Sequence, residues 1–527
     1  MSFNFFQRIG LSIMSGVLLY GGWAGGVWQW TVLVGFVPLL LLEEYSCQNT
    51  YKRIHFFGYA FLSFLVWNAL SVWWILNATL IGALLAIVLN ALFMAVVAWL
   101  FHVIKRKTSR PIGYVFFILS WIAFEYLHYN WDLSWTWMTL GNALSENTPF
   151  IQWYEVTGVL GGSLWILMLN VFITVLISQK ITPIAHSKKW IWSLIVLLVV
   201  PIGISLIRYA TYKEKGTATE VLIVQPNIDP YNDKFSGMSE AQQLQRFLML
   251  AEKGVTDKTR YVVGPETALP QGIWEEDYAT HPHIQQIESF CKQHALSVIM
   301  GASTYSMYSA KITSTARPFD DGKLYYDVFN SALQIDSNKV QTYHKSQLVL
   351  GVERMPFPKV LGFLEDWALD LGGISGSLGT QAAPSIFNGT KKCAPAVCYE
   401  SIYGEYLSLF VKLGAEWVAV ITNDGWWKNT PGYHQHLSYS RLRAIELRKD
   451  VVRAANTGIS CFINQRGDII QQTQWWVPAV LKGTIYCNPD KTIYVALGDI
   501  MGEIAAFVTV LILAVFIFLF IVKKFRK

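Results

Sequence analysis

The chain has 527 residues, 53% of them hydrophobic and 15% aromatic, with only 15% charged. That is too apolar for an ordinary soluble protein of this length, so part of it belongs in lipid. The net charge is +6, but the basic residues cluster in short segments between apolar runs and leave an acidic remainder, so no nucleic-acid partner is implied.

A helix crossing a hydrocarbon core of ~30 Å needs roughly 20 apolar residues. Runs of that kind occur near 9–24, 27–42, 56–76, 78–104, 112–128, 158–178, 190–207 and 504–522. They predict an α-helical polytopic membrane domain of eight spans: seven within 1–210, and one within 501–527 that ends in a basic tail. The first run has no small-residue cleavage site and is followed by further spans, so it reads as a retained helix. Lys and Arg in short loops mark the cytoplasmic side. Arg8, Lys52, Arg53, the group from Lys105 to Arg110, Lys180, Lys188, Lys189 and the C-terminal basic residues all fall on one side, whereas 129–157 has none. This orientation puts the region after 210 outside the cytoplasm. Glu125 and His128 stand near the outer end of the fifth run, before "SWTWMTLGNAL". Ionisable groups at membrane depth are functional candidates, but an interfacial aromatic belt explains the tryptophans equally well, and neither residue is assigned a catalytic role.

From 218 to 490 the texture changes to short β-branched runs alternating with amphipathic helices, the pattern of a layered α/β domain. "EVLIVQPNI", "TRYVVGPET", "LSVIMGAST", "FNSALQI", "KKCAPAVCYE", "EWVAVITND" and "ISCFINQRG" read as strands. "SEAQQLQRFLMLAEKG", "HIQQIESFCKQHAL", "YGEYLSLFVKLGA" and "HQHLSYSRLRAIELRK" read as helices. Five of the six cysteines, Cys291, Cys393, Cys398, Cys461 and Cys487, lie in this region, and an odd number leaves at least one thiol unpaired. No metal-ligand spacing or phosphate-cradling glycine loop stands out, so neither metal nor cofactor is expected.

Three stretches sit at strand ends, where α/β domains place their sites. "VVGPETALP" carries Glu266, "QTYHKSQLVLGVERMPFP" carries Lys345 and Glu353, and "AVCYES" carries Cys398, Tyr399 and Glu400. Singly, each has a plain structural explanation: a solvated carboxylate, a surface lysine, a core thiol. Together they make chemical sense, since a thiol needs a base, and a nearby ammonium favours the thiolate and steadies an oxyanion.

Glu266 in "GPET", Lys345 in "YHKSQL" and Cys398 in "CYE" resemble the Glu-Lys-Cys triad of the nitrilase, or carbon–nitrogen hydrolase, superfamily, and "RAIELRKDVVRAANTGIS" and "VITNDGWW" resemble its downstream motifs. The resemblance covers roughly 218–490 and implies an αββα sandwich. Seven helices before such a domain and one after it, together with "VQPNI", "KSQLVLGVE" and "GYHQHLSYSRLRAIE", are similar to the apolipoprotein N-acyltransferase family. Where that family usually has Pro-Phe-Gly-Glu-Tyr, this chain has Leu350, Gly351, Val352, Glu353 and Arg354. Where it usually has Trp after "QPNI", the nearest aromatic is Phe235.

The resemblance implies acyl transfer from a membrane phospholipid, through a Cys398 thioester, to the N-terminal amine of a diacylglyceryl apolipoprotein at the periplasmic face of a bacterial inner membrane. Glu266 would be the base and Lys345 the oxyanion partner, with Glu353, Tyr399, Glu400 and Phe235 in support. A membrane-tethered amidase using the same triad, and a docking protein with an idle site, are the alternatives. The apolar, glycine-rich segment 355–380 reads as a mobile lid or as a long structural loop.

Overall fold

All eight apolar runs fall on helical backbone in the computed structural model, which describes residues 3–48, 53–179, 187–319, 321–357 and 377–525. The chain separates into two units, Met1–Thr211 with Leu497–Lys527, and Tyr212–Ala496. The 355–380 stretch lies mostly outside the described residues.

In the first unit, seven helical stretches among the described residues, not eight, are long and apolar enough to cross a membrane: Gly26–Cys47, Ile54–Asn77, Leu80–Lys107, Arg110–Asn130, Tyr154–Ser178, Lys188–Thr211 and Ile500–Phe525. The first run is a helix, Phe5–Ala24, that falls short of this apolarity. Its buried face includes Ser12, Ser15, Gly16, Gly21 and Gly22. Small residues let helix backbones approach closely, and a Cβ on Gly16 would lie 2.4 Å from the Ser63 carbonyl oxygen. The second run is a 3-10 turn sequence, Gly26–Val34, followed by the α-helix Val37–Gln48. Support differs along the unit. In the apolar window of Tyr154–Ser178, 67% of residues are buried, but in that of Lys188–Thr211 only 6%.

The second unit is built on two sheets. The first contains β1 (Thr217–Gln225), β2 (Thr259–Val263), β3 (Leu269–Trp274), β4 (Ser297–Tyr308), β5 (Arg317–Pro318), β6 (Tyr325–Ile335) and β7 (Val340–His344). The second runs through β8 (Phe387–Asn388), β9 (Lys392–Val397), β10 (Trp417–Thr422), β11 (Val451–Ala455), β12 (Cys461–Ile463) and β13 (Ile469–Gln472). The last strand, β14 (Ala479–Cys487), returns to pair with β1, giving the first sheet the order β14-β1-β2-β4-β6-β5, with β3 beside β4 and β7 beside β6. In each sheet the central strands are parallel, β1, β2 and β4 in one and β9, β10 and β11 in the other.

Successive strand residues face opposite sides of a sheet, so β1 divides its apolar run between two cores. Val221 and Ile223 pack between the sheets with Cys393, Ala394, Trp417 and Val420. Leu222 and Val224 face the other way, onto the helices Glu240–Glu252 and Pro282–His294. Gly404–Lys412 and Pro431–Leu447 contribute Leu407, Phe410, Leu437 and Ala444 to the core that includes the second sheet. The expected αββα layering is thus present. The seven strands and four helices read from periodicity all form, whereas β3, β5, β7, β8, β11, β13 and β14 were not anticipated. Several of these are only two to five residues long, too short for alternation to register.

Candidate active site

Glu266 sits just beyond β2, in a turn that lies against β4. Gly264 and Ala268 donate to the Ile299 and Gly301 carbonyls at 2.7 Å each, and Gly301 donates to the Pro265 carbonyl at 2.9 Å. A Cβ at 301 would stand 2.4 Å from Thr267 N and 2.7 Å from the Glu266 Cα, so glycine is what permits this approach. The Glu266 side chain is 8% exposed and accepts from Asn330 Nδ2 at 2.8 Å and from Lys345 Nζ at 3.2 Å.

Lys345 follows β7. Its ammonium also donates to Glu353 Oε1 at 2.8 Å, so one cation spans two carboxylates, which share Asn330 as well. The 350–354 sequence, unlike the usual family pattern, folds as a tight turn. Gly351 takes φ 76°, and Glu353 both donates through its N–H to the Val349 carbonyl at 2.9 Å and accepts from Val349 N at 2.8 Å through Oε2.

Cys398 directly follows β9, with φ 53°, in the left-handed region that non-glycine residues rarely occupy. A strained corner of this kind turns a side chain out of the strand and is a recurrent feature of functional sites. Glu400 clamps the corner to the Lys345 segment. Its carboxylate accepts from Val397 N at 2.8 Å, Tyr343 Oη at 2.6 Å, Ser346 N at 2.7 Å and Gln347 N at 3.2 Å. Tyr399 is buried edge-on to Tyr403, and Phe235 is exposed and stacked on Trp426 with ring centres 6.1 Å apart.

Burial alone would raise the Glu266 carboxyl, but the Lys345 ammonium, Asn330 and Lys234 outweigh it and hold the group below the usual carboxylate range. Lys345 would lose affinity for its proton through burial; Glu353 and Glu266 reverse that and keep it charged. Burial pushes the Cys398 thiol far up, and Glu266 adds to the effect, while Lys345 and the Thr422 hydroxyl oppose it. Cys398 therefore rests as a thiol beside an ionised carboxylate, the arrangement of a nucleophile that gives up its proton as it attacks.

Beneath the corner runs a buried polar network that the sequence reading missed. His436 Nε2 lies 3.1 Å from both the Cys398 carbonyl oxygen and Ser401 Oγ, its Nδ1 is 2.9 Å from Asp424 Oδ1, and Arg453 holds Asp424 Oδ2 at 2.6 Å. The signal was present in "VITNDGWW" and "GYHQHLSYSRLRAIE", polar-rich stretches whose side chains are almost wholly buried here. Lys234 was missed too. Its loop passes behind Glu266, and Nζ donates to the Glu266 main-chain carbonyl at 2.8 Å.

All six cysteines are free. Among the described residues, two groups away from Cys398 could hold a metal ion, Glu43 with Cys47 and His102, and Glu240 with His281 and His283.

Residues 15–172 match the family model of the apolipoprotein N-acyltransferase N-terminal domain, and residues 221–488 match that of the carbon-nitrogen hydrolases. The chain is 27% identical over 513 residues to the apolipoprotein N-acyltransferase of Chlorobaculum tepidum, covering 94% of this chain and 93% of that protein. It is 28% identical over 511 residues to that of Geobacter metallireducens, covering 93% and 92%. With the Rickettsia prowazekii protein of the same name, it shares 28% identity over 458 residues, covering 83% and 85%.

Proposed function

The chain belongs to the carbon–nitrogen hydrolase family, and from that premise we propose that it is an acyltransferase completing the N-acylation of lipoproteins. The observation that carries the reading is the union, in one chain, of the Glu266–Lys345–Cys398 grouping with apolar helices that match the apolipoprotein N-acyltransferase N-terminal domain. A hydrolase of soluble amides has no need of several membrane helices; an enzyme whose two substrates are both anchored in lipid does.

As the Cys398 sulfur attacks the sn-1 ester carbonyl of a phospholipid, its proton passes to Glu266, and the tetrahedral oxyanion is met by the Lys345 ammonium. Collapse breaks the ester C–O bond. The departing alkoxide takes the proton back from Glu266, leaving a lysophospholipid and a Cys398 thioester. The free α-amine of an S-diacylglyceryl-cysteine then attacks the thioester, the C–S bond breaks, and the amine's surplus proton returns through Glu266 to the sulfur. Glu353 keeps Lys345 aimed and charged, and Glu400 holds the backbone on both sides of the site. Phe235 and Tyr399 would line the approach of the acyl chains.

The test is direct. Purified protein in phospholipid nanodiscs, given a diacylglyceryl-cysteine peptide with a free N-terminus, should raise the peptide mass by one acyl chain. An unchanged peptide, with ammonia released from a soluble amide instead, would establish the tethered amidase.

The location in the bacterial inner membrane, with the site on the periplasmic side, has its own test. Asn130 and Ser109 are both exposed and stand at opposite ends of Arg110–Asn130. In intact cells opened only at the outer membrane, an impermeant thiol reagent is expected to label Asn130→Cys but not Ser109→Cys. The reverse pattern would invert the topology. Native Cys47 is a poor reporter, because its thiol is hydrogen-bonded to Glu43 at 2.9 Å.

A further inference from the structure

Lys234 lies between β1 and the helix Glu240–Glu252, and its backbone is pinned at both ends. Its N–H donates to the Asp229 carbonyl at 2.9 Å, and its carbonyl accepts from Gln243 Nε2 at 2.7 Å. The residue is 2% exposed, and its ammonium donates to the Glu266 main-chain carbonyl. An ammonium has three donor hydrogens and forfeits much of its hydration when buried. Among the described residues this one answers a single carbonyl and has no carboxylate in salt-bridge contact. A lysine held so firmly, in so unfavourable a place, calls for a negative partner.

The surrounding charges identify it. Lys345 faces two carboxylates, Glu266 and Glu353, which leaves one negative charge over. Asp424 is balanced by Arg453, and Glu400 is held by a hydroxyl and three N–H groups. The ionisable groups that act on Lys234 are Glu266, beyond β2, and Cys398, beyond β9. Moving a proton from Cys398 to Glu266 transfers negative charge from sulfur's neighbour to sulfur itself without changing the total. A cation felt by both groups is suited to both ends of that transfer.

We propose that Lys234 is a second cation of the acyl-transfer site, which fixes the Glu266 turn through its carbonyl and stabilises the negative charge as it moves from the Glu266 carboxylate to the Cys398 sulfur. The proposal rests on Cys398 being the nucleophile. Burial draws the Lys234 ammonium down to about 8, with Glu266 and Cys398 opposing the fall. It is thus charged at neutral pH and loses its proton under mildly alkaline conditions, whereas Lys345 keeps its own. The positive charge, and with it the rate of Cys398 acylation, should decline as pH rises through this value.

The experiment follows acyl-adduct formation on Cys398 by intact mass, in full-length protein in nanodiscs of phosphatidylethanolamine, from roughly pH 6 to 10. Wild type is expected to slow above about pH 8. Lys234→Met should be roughly tenfold or more slower at neutral pH and lack the alkaline fall. Lys234→Arg, charged throughout, should hold its own plateau to higher pH whatever the height of that plateau. A merely structural role would lower Tm in the variants without moving the alkaline limb. A Lys234→Met profile superimposable on wild type, or a Lys234→Arg profile retaining the wild-type fall, would overturn the proposal. Absence of any adduct in wild type would overturn the nucleophile reading and this proposal together.

Discussion

Cys398→Ala and Glu266→Gln are each expected to lower acyl transfer by roughly 10³-fold or more while leaving the protein folded, since groups that act as a unit fail as a unit. The double variant should be little worse than either single one. Both substitutions suit the surroundings. Alanine removes a thiol from a corner fixed by backbone and by Glu400, and glutamine retains an oxygen to accept from Asn330. Lys345→Ala differs in kind. It strips the cation from between two buried carboxylates, a change that can cost about 3–5 kcal/mol, so its loss of activity would mix chemistry with stability. The measurement is single-turnover acyl transfer alongside thermal unfolding of each variant. Substantial transfer by Cys398→Ala would remove the nucleophile from the mechanism.

A second large effect is expected when the acceptor is withheld. With phospholipid alone, wild type should accumulate a hydroxylamine-sensitive acyl adduct on Cys398 that outlives many turnover times, because a transferase must keep water from its thioester until the amine arrives. A diacylglyceryl-cysteine peptide with a free amine should discharge the adduct to an amide. The same peptide N-acetylated should leave it intact, as acetylation removes the nucleophilic lone pair. Decay to free fatty acid at one rate, with or without peptide, would sink the transferase reading in favour of a tethered hydrolase.

The difference between what could and could not be foreseen has a physical basis. β1 and β10 are short apolar runs, and the helices Glu240–Glu252 and Pro282–His294 carry a 3.6-residue stripe, so local periodicity alone located them. Glu266, Lys345 and Cys398 stand out as candidates by motif and strand-end position. Their supports do not, because those depend on contacts distant in sequence. Arg453 reaches Asp424 across 29 residues, Asn330 reaches Glu266 across 64, and the Lys234 loop has no periodic pattern at all. The left-handed backbone at Cys398 was equally hidden, since cysteine gives no sign of it as glycine would. The first of the eight expected spans, Phe5–Ala24, is a 20-residue helix whose hydropathy is lowered by the glycines and serines on its buried face.

The sparse burial of Lys188–Thr211 has a consequence for the choice of membrane. Its apolar stretch, 190–207 between Lys189 and Arg208, rises about 27 Å at 1.5 Å per residue, slightly less than the ~30 Å of a typical hydrocarbon core. A stretch of that length thins the bilayer locally or extends its basic ends toward the headgroups. Only 6% of its apolar window is buried, and it is held along one edge, where Trp165 Nε1 donates to the Leu197 carbonyl, Gln152 N donates to Ser205 Oγ and Arg208 pairs with Glu155. Tyr154–Ser178, of nearly equal length but 67% buried, is held by its neighbours. Thicker bilayers should therefore strain Lys188–Thr211 before they disturb Tyr154–Ser178, so bilayer thickness becomes a control variable in any comparison of activity between lipids.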